Sequence, residues 1–138
     1  MKGRVAADDT AAHDDTPCLC GSGDRWGSCC GPLLGGAPAP TAERLMRSRY
    51  TAFALGDVPY LRETWHPSTR PQVIEIEPDL RWRRLDVLAR NGGGPFDRDG
   101  VVEFEARWRQ GDDAGSLHER SRFVREDRRW FYVDGELL

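Results

Sequence analysis

The chain has no apolar run of membrane-spanning length. Neither charge dominates: 20 lysines and arginines stand against 23 acids, a net charge of −3, with the two signs interspersed. That balance argues against a general electrostatic grip on nucleic acid or on an anionic membrane. A charged-then-apolar leader is missing from the N-terminus, so a cytoplasmic protein is expected. No Cys-x-x-Cys lies near a strand–helix pattern, which removes the usual redox dithiol. With 138 residues the chain can bury one core but not two.

Cysteine is absent everywhere except in Cys18-Leu19-Cys20-Gly21-Ser22-Gly23-Asp24-Arg25-Trp26-Gly27-Ser28-Cys29-Cys30-Gly31. The four cysteines form two close pairs on either side of a short loop. Four thiolates at the corners of a tetrahedron suit a soft divalent ion, and zinc is its usual occupant. Gly21 and Gly23 give the turn its conformational freedom. Ser22 and the loop amides are placed to donate hydrogen bonds to sulfur, and Trp26 to keep water away. Two disulfides are the alternative. A bond between adjacent Cys29 and Cys30 would be strained, and nothing points to an oxidising compartment for cross-bonding. Cys18, Cys20, Cys29 and Cys30 are therefore expected to hold a structural zinc. Four thiolates leave no open position for catalysis at the metal. A lobe this small has no core of its own, so its fold should depend on the ion.

Residues 1–16 are small, polar and acidic, and read as a flexible tail in which His13 is a solvated side chain. Residues 17–31 form the knuckle, and 32–40 a Gly/Pro/Ala linker. Thr41 is placed to cap a helix over Ala42 to Leu55, where Leu45, Met46, Tyr50, Phe53 and Ala54 recur at helical spacing and Gly56 follows as a stop. Asp57 can cap a shorter helix carrying Leu61 and Trp65, ended by Pro67. Thr69 to Leu80 reads as either a short strand or a third helical fragment. From Trp82 the pattern alternates. Val102, Phe104, Ala106 and Trp108 interleave with Glu103, Glu105, Arg107 and Arg109, the clearest half-buried strand. Strands over Ser116 to Arg125 and Arg129 to Val133 follow, joined by a turn at Asp127 and Arg128. Helices followed by about four antiparallel strands make residues 41–138 an α+β domain.

Cys-x-Cys-Gly-Ser-Gly, then an aromatic and Cys-Cys-Gly, resembles the SEC-C zinc knuckle of the SecA translocation ATPase. Leu45-Met46-Arg47-Ser48-Arg49-Tyr50, Thr64-Trp65-His66-Pro67-Ser68-Thr69-Arg70-Pro71 and Glu119-Arg120-Ser121-Arg122-Phe123 resemble the bacterial YchJ family, and the similarity runs from Pro17 to Gly135. The resemblance implies a SEC-C knuckle followed by two or three helices packed in a curved antiparallel sheet, the nuclear transport factor-like cone. It implies no established activity. In SecA the knuckle recognises the SecB chaperone. The loop here lacks the lysines of that relative, and no second knuckle follows Cys30.

Three residues break the local pattern. Arg49 falls on the apolar face of the first helix, Glu119 shares a strand parity with Leu117 and Phe123, and His66 ends a helix beside Trp65. A charged group on an apolar face needs a partner. Arg49 and Glu119 could form a bridge between helix and sheet, which is the simpler reading because ion-pair networks also arise without catalysis. Alternatively, Arg49, Tyr50 and Trp65 bind a small anionic ligand in the cone, and His66 or Glu119 acts as a general base. Cone-fold enzymes perform proton abstraction and dehydration, an analogy at the level of fold. Arg47, Arg70, Arg120 and Arg122 could form a basic strip, but the outward parity of Arg120 and Arg122 fits surface pairing with Glu103 and Glu105 better than a nucleic-acid strip, and His118, on the same parity, reads as simply exposed. A binding module, with the knuckle meeting a protein partner or the cone holding a ligand, is favoured over an enzyme.

Overall fold

The computed structural model describes residues 14–138. His13 and most of the expected tail lie outside these. Asp14 and Thr16 are not loose: their carbonyls accept from the amides of Gly27 and Trp26, and Pro17 bridges to Arg25. A 3₁₀ turn, Trp26–Ser28, leads into the short helix α1, Cys30–Leu34, which crosses from the expected knuckle into the expected linker.

Helix α2 spans Ala42–Leu55. The Thr41 hydroxyl accepts from the Arg44 amide at 3.1 Å, and Gly56 terminates the helix in the left-handed region. Asp57 caps α3, Val58–Glu63, through the Tyr60 amide. This second helix stops short of Trp65 and Pro67. There the chain is captured by the sheet instead: Tyr132 donates its amide to Thr64, and His66 donates its amide to Tyr132, both at 2.8 Å. That pairing covers part of an otherwise open strand edge. The stretch from Thr69 to Leu80 contains neither strand nor helix; its Ile74 and Ile76 pack against Ala52, Tyr60 and Leu61.

Strands β1 (Arg81–Gly92), β2 (Asp99–Gln110), β3 (Asp113–Glu126) and β4 (Arg129–Leu137) form an antiparallel meander in chain order. Irregularities at Trp82/Arg84, Val87/Ala89 and Arg122/Phe123 bend the sheet. The expected loop over Gln110 to Gly115 contracts to two residues, because Gln110 already pairs with Asp113. At the other hairpin Asp127 and Arg128 both take positive φ, 53° and 68°, the geometry of a tight turn that matches strand twist.

The concave face receives α2. Val102, Ala106 and Phe123 are buried beneath Leu45 and Met46, and the four cysteines belong to this same core. The knuckle is thus a wall of the domain, not a lobe on a tether. Outside the sheet Arg120 meets Glu103 as expected; His118, expected to be merely exposed, also reaches Glu103, and Arg122 pairs with Asp134 of β4 in a two-pronged contact instead of with Glu103 or Glu105. Among the described residues, no helix is long and apolar enough to cross a membrane.

Candidate functional site

Two constellations come together on opposite faces of α2. The first is the cysteine cluster. The sulfurs of Cys18, Cys20, Cys29 and Cys30 all lie within 4.8 Å of one another, and all four residues are buried. They are free thiols, not disulfides. The spacing fits four ligands around one ion, and the donors around them fit a thiolate cluster. Ser22 Oγ lies 3.2 Å from Cys29 Sγ, Arg44 Nη1 donates to Cys29 Sγ at 3.1 Å, and Thr51 Oγ1 donates to Cys30 Sγ at 3.4 Å. Arg47 Nη1 donates to the Cys20 carbonyl at 3.0 Å.

Packed this closely, the thiols cannot all ionise without a cation. Hydrogen bonds from Cys18 and Cys30 pull Cys20 far below the ordinary thiol range. Proton sharing with Cys20 pushes Cys18 up to about 11, and sharing with Cys18 and Cys20 pushes Cys30 higher still. A divalent ion would remove that conflict and still leave surplus negative charge. Arg44 and Arg47 stand where that surplus falls. Arg44 is also tied to Asp24 in the loop, and Arg47 to Glu43, which Arg90 of β1 grips from the other side. The sequence reading did not assign Arg44, Arg47 or Thr51 to the cysteine cluster. Their signal is a polar stripe at helical spacing beside the apolar one.

The second constellation lines a cavity of about 230 Å³ between α2 and the concave sheet. Arg49, Tyr50 and Phe53 face it from the helix; Trp82, Phe104, Glu119 and Tyr132 face it from the sheet, with Trp65 beside them. Arg49 is only 5% exposed. Its guanidinium sits in the corner made by two nearly perpendicular rings, 4.9 Å from the Trp65 centroid and 4.6 Å from that of Tyr132. Nη1 donates to the Leu61 carbonyl and to Thr64 Oγ1. Burial lowers its pKa to about 10, so it stays charged at neutral pH.

The expected Arg49–Glu119 bridge is not formed. Glu119 Oε2 instead accepts from Ser121 Oγ at 2.7 Å and from the Tyr132 hydroxyl at 3.4 Å. Tyr132 stands between the two charges, its ring under one and its hydroxyl on the other. Burial, then the charge of Glu119, raises the Tyr132 phenol above its ordinary range, so it remains a donor. Tyr50 packs edge-on against Trp82. His66 takes no part in the cavity. Its ring reaches Ser68 and Glu126 and packs on Phe131, because the pairing of Thr64 and His66 with Tyr132 turns it outward. The sequence reading missed Tyr132 and Ser121; inward parity along β3 and β4 was the available signal.

The profile of the YchJ middle, nuclear transport factor-like domain matches residues 41–135. A UPF0225 protein of Streptomyces coelicolor is 51% identical over 123 residues, covering 88% of this chain and 96% of its own length. One from Chromobacterium violaceum is 50% identical, covering 86% and 90%. The solution structure of a SEC-C motif containing protein from Rhodopseudomonas palustris superposes with a TM-score of 0.78 at 38% identity, covering 89% of this chain and 99% of that one. A crystal structure of a SEC-C motif containing protein from Psychrobacter arcticus gives 0.72 at 26% identity, covering 91% and 83%. Knuckle, cone and sequence therefore agree, and the chain belongs to the YchJ family.

Proposed function

We propose that this protein is a zinc-stabilised binding module whose cone holds a small anionic ligand. Zinc is the ion that best suits four buried thiolates, and here it serves structure. The observation that carries the ligand reading is Arg49: a buried guanidinium in an aromatic corner at the wall of a cavity. Arg49 binds the anionic group, while Tyr50 and Trp65 supply apolar and aromatic contact. The cavity is smaller than the roughly 300–1,000 Å³ of drug-sized sites, so the ligand is compact. A protein partner at the knuckle would use its outward side, where Leu19, Gly23, Asp24 and Arg25 are exposed.

Metal analysis should find one zinc per chain. Benzoate should shift the indole N–H resonances of Trp65 and Trp82, and Arg49→Met should abolish the shift. If neither benzoate nor uncharged toluene perturbs those indoles, the cavity is not a ligand site.

A second reading is supported by Glu119, a carboxylate lining the same cavity. As a general base it would serve a proton-abstracting or dehydrating enzyme. That reading requires turnover of a bound compound that Glu119→Gln eliminates while binding persists.

A further inference from the structure

We propose that the cone ligand is bifunctional: a compact apolar body with a carboxylate for Arg49 and an ammonium group for Glu119, an amino-acid-like zwitterion. This rests on the ligand-pocket reading above and adds a second recognition element to it.

The argument starts from what each charge leaves unused. Arg49 spends Nη1 on Leu61 and Thr64, whereas Nε and Nη2 make no hydrogen bond with any described residue. Neither of these two nitrogens is fully sealed from solvent, and Arg49 lines the cavity. The Trp65 indole N–H lacks an acceptor but is sealed, so Trp65 offers the ligand its ring face and not its donor. On the far side Glu119 engages Oε2 alone; Oε1 accepts nothing from the described residues.

An opposite pair lining one apolar-walled cavity would ordinarily join, since each separated charge is costly there. Here Tyr132 holds them apart, and its ring and hydroxyl partly satisfy each. A plain anion would satisfy Arg49 and meet Glu119 as a like charge. A plain cation would do the reverse. A molecule carrying both completes both, and the apolar wall between them takes its body. At about 230 Å³ the cavity falls below the roughly 300–1,000 Å³ of drug-sized sites, which suits a compact molecule such as an amino acid.

The test uses four probes with one body: toluene, 3-phenylpropionate, 2-phenylethylamine and phenylalanine. Binding to the metal-loaded full chain is read by calorimetry and by the Trp65 and Trp82 indole resonances. Phenylalanine should bind at least tenfold more tightly than either singly charged probe. Glu119→Gln, nearly isosteric, should reduce it to the level of 3-phenylpropionate, and Arg49→Met to that of 2-phenylethylamine. Tyr132→Phe keeps the ring under Arg49, removes the weaker of the two donors to Glu119 Oε2 while Ser121 remains, and should retain the preference; it also serves if Arg49→Met fails to fold. Equal affinities for phenylalanine and 3-phenylpropionate, or indifference to Glu119→Gln, would overturn the bifunctional ligand while leaving the pocket standing. Silence from all four probes, toluene included, would remove the pocket reading and this one with it.

Discussion

Replacing Arg44 by methionine tests whether the arginines of α2 belong to the metal site. The side chain donates to Cys29 Sγ at 3.1 Å and, through its other terminal nitrogen, to Asp24 at 3.0 Å. A hydrogen bond to a charged acceptor contributes about 1.5–3 kcal/mol. The side chain is 35% exposed, so solvent screening places the loss near the lower end of that range. At about 1.4 kcal/mol per decade, zinc affinity should fall roughly tenfold, the low end of the roughly 10–100-fold seen when an outer partner of a metal ligand is removed. Losing the exposed Asp24 pair adds at most about 1 kcal/mol, spent on ordering the loop. The assay is competition against a chromophoric chelator at fixed pH. Arg44→Lys should recover part of the loss by restoring charge without the fork, and Arg109→Met, on the exposed side of β2, should change nothing. Equal zinc affinity in Arg44→Met and wild type would refute the claim that α2 neutralises the cluster.

Other perturbations test the frame. Arg128→Gly relieves a non-glycine residue at φ 68°, which costs about 1–2 kcal/mol; the melting temperature should rise by several degrees, and a fall would contradict the turn assignment. Thr41→Ala deletes the α2 cap and should cost about 1 kcal/mol in urea unfolding; no loss would mean the cap is idle. Glu43 tests the link to β1. Burial opposes its ionisation, but Arg47 and Arg90 outweigh that and hold its pKa below the ordinary value. A depressed folded pKa means the contribution is present above the unfolded value, about 4.3, and disappears as pH falls through the folded value. The stability gap between wild type and Glu43→Gln should therefore be constant near neutrality and close below about pH 4; a gap independent of pH would show that the charge is not what matters.

Much of this architecture could be read from residue order. Thr41, Gly56 and Asp57 bracket the helices through local chemistry, and those positions act in the structure as their residue types suggest. Strand parity was equally informative: Phe104 and Glu119 face inward, and Arg120 and Arg122 outward. What escaped is what depends on distant backbone. Trp65 and His66 look like helix continuation, yet hydrogen bonds to Tyr132 override helical propensity and turn His66 away from the cone. Opposite charges on facing apolar surfaces suggest a bridge, and nothing in their spacing reveals that Tyr132 intervenes. The cysteine spacing disclosed a four-thiol cluster able to hold a metal ion, but not that α2 forms its back wall, because only tertiary packing brings Arg44, Arg47 and Thr51 to sulfur.

The central claim is that one zinc ion joins Cys18, Cys20, Cys29 and Cys30. X-ray absorption at the zinc edge, on protein purified without added metal and quantified for zinc, tests it most directly. The account predicts one zinc per chain in a shell of four sulfurs at about 2.3 Å. A shell containing nitrogen or oxygen, or metal-free protein whose cysteines are joined as disulfides, would contradict it.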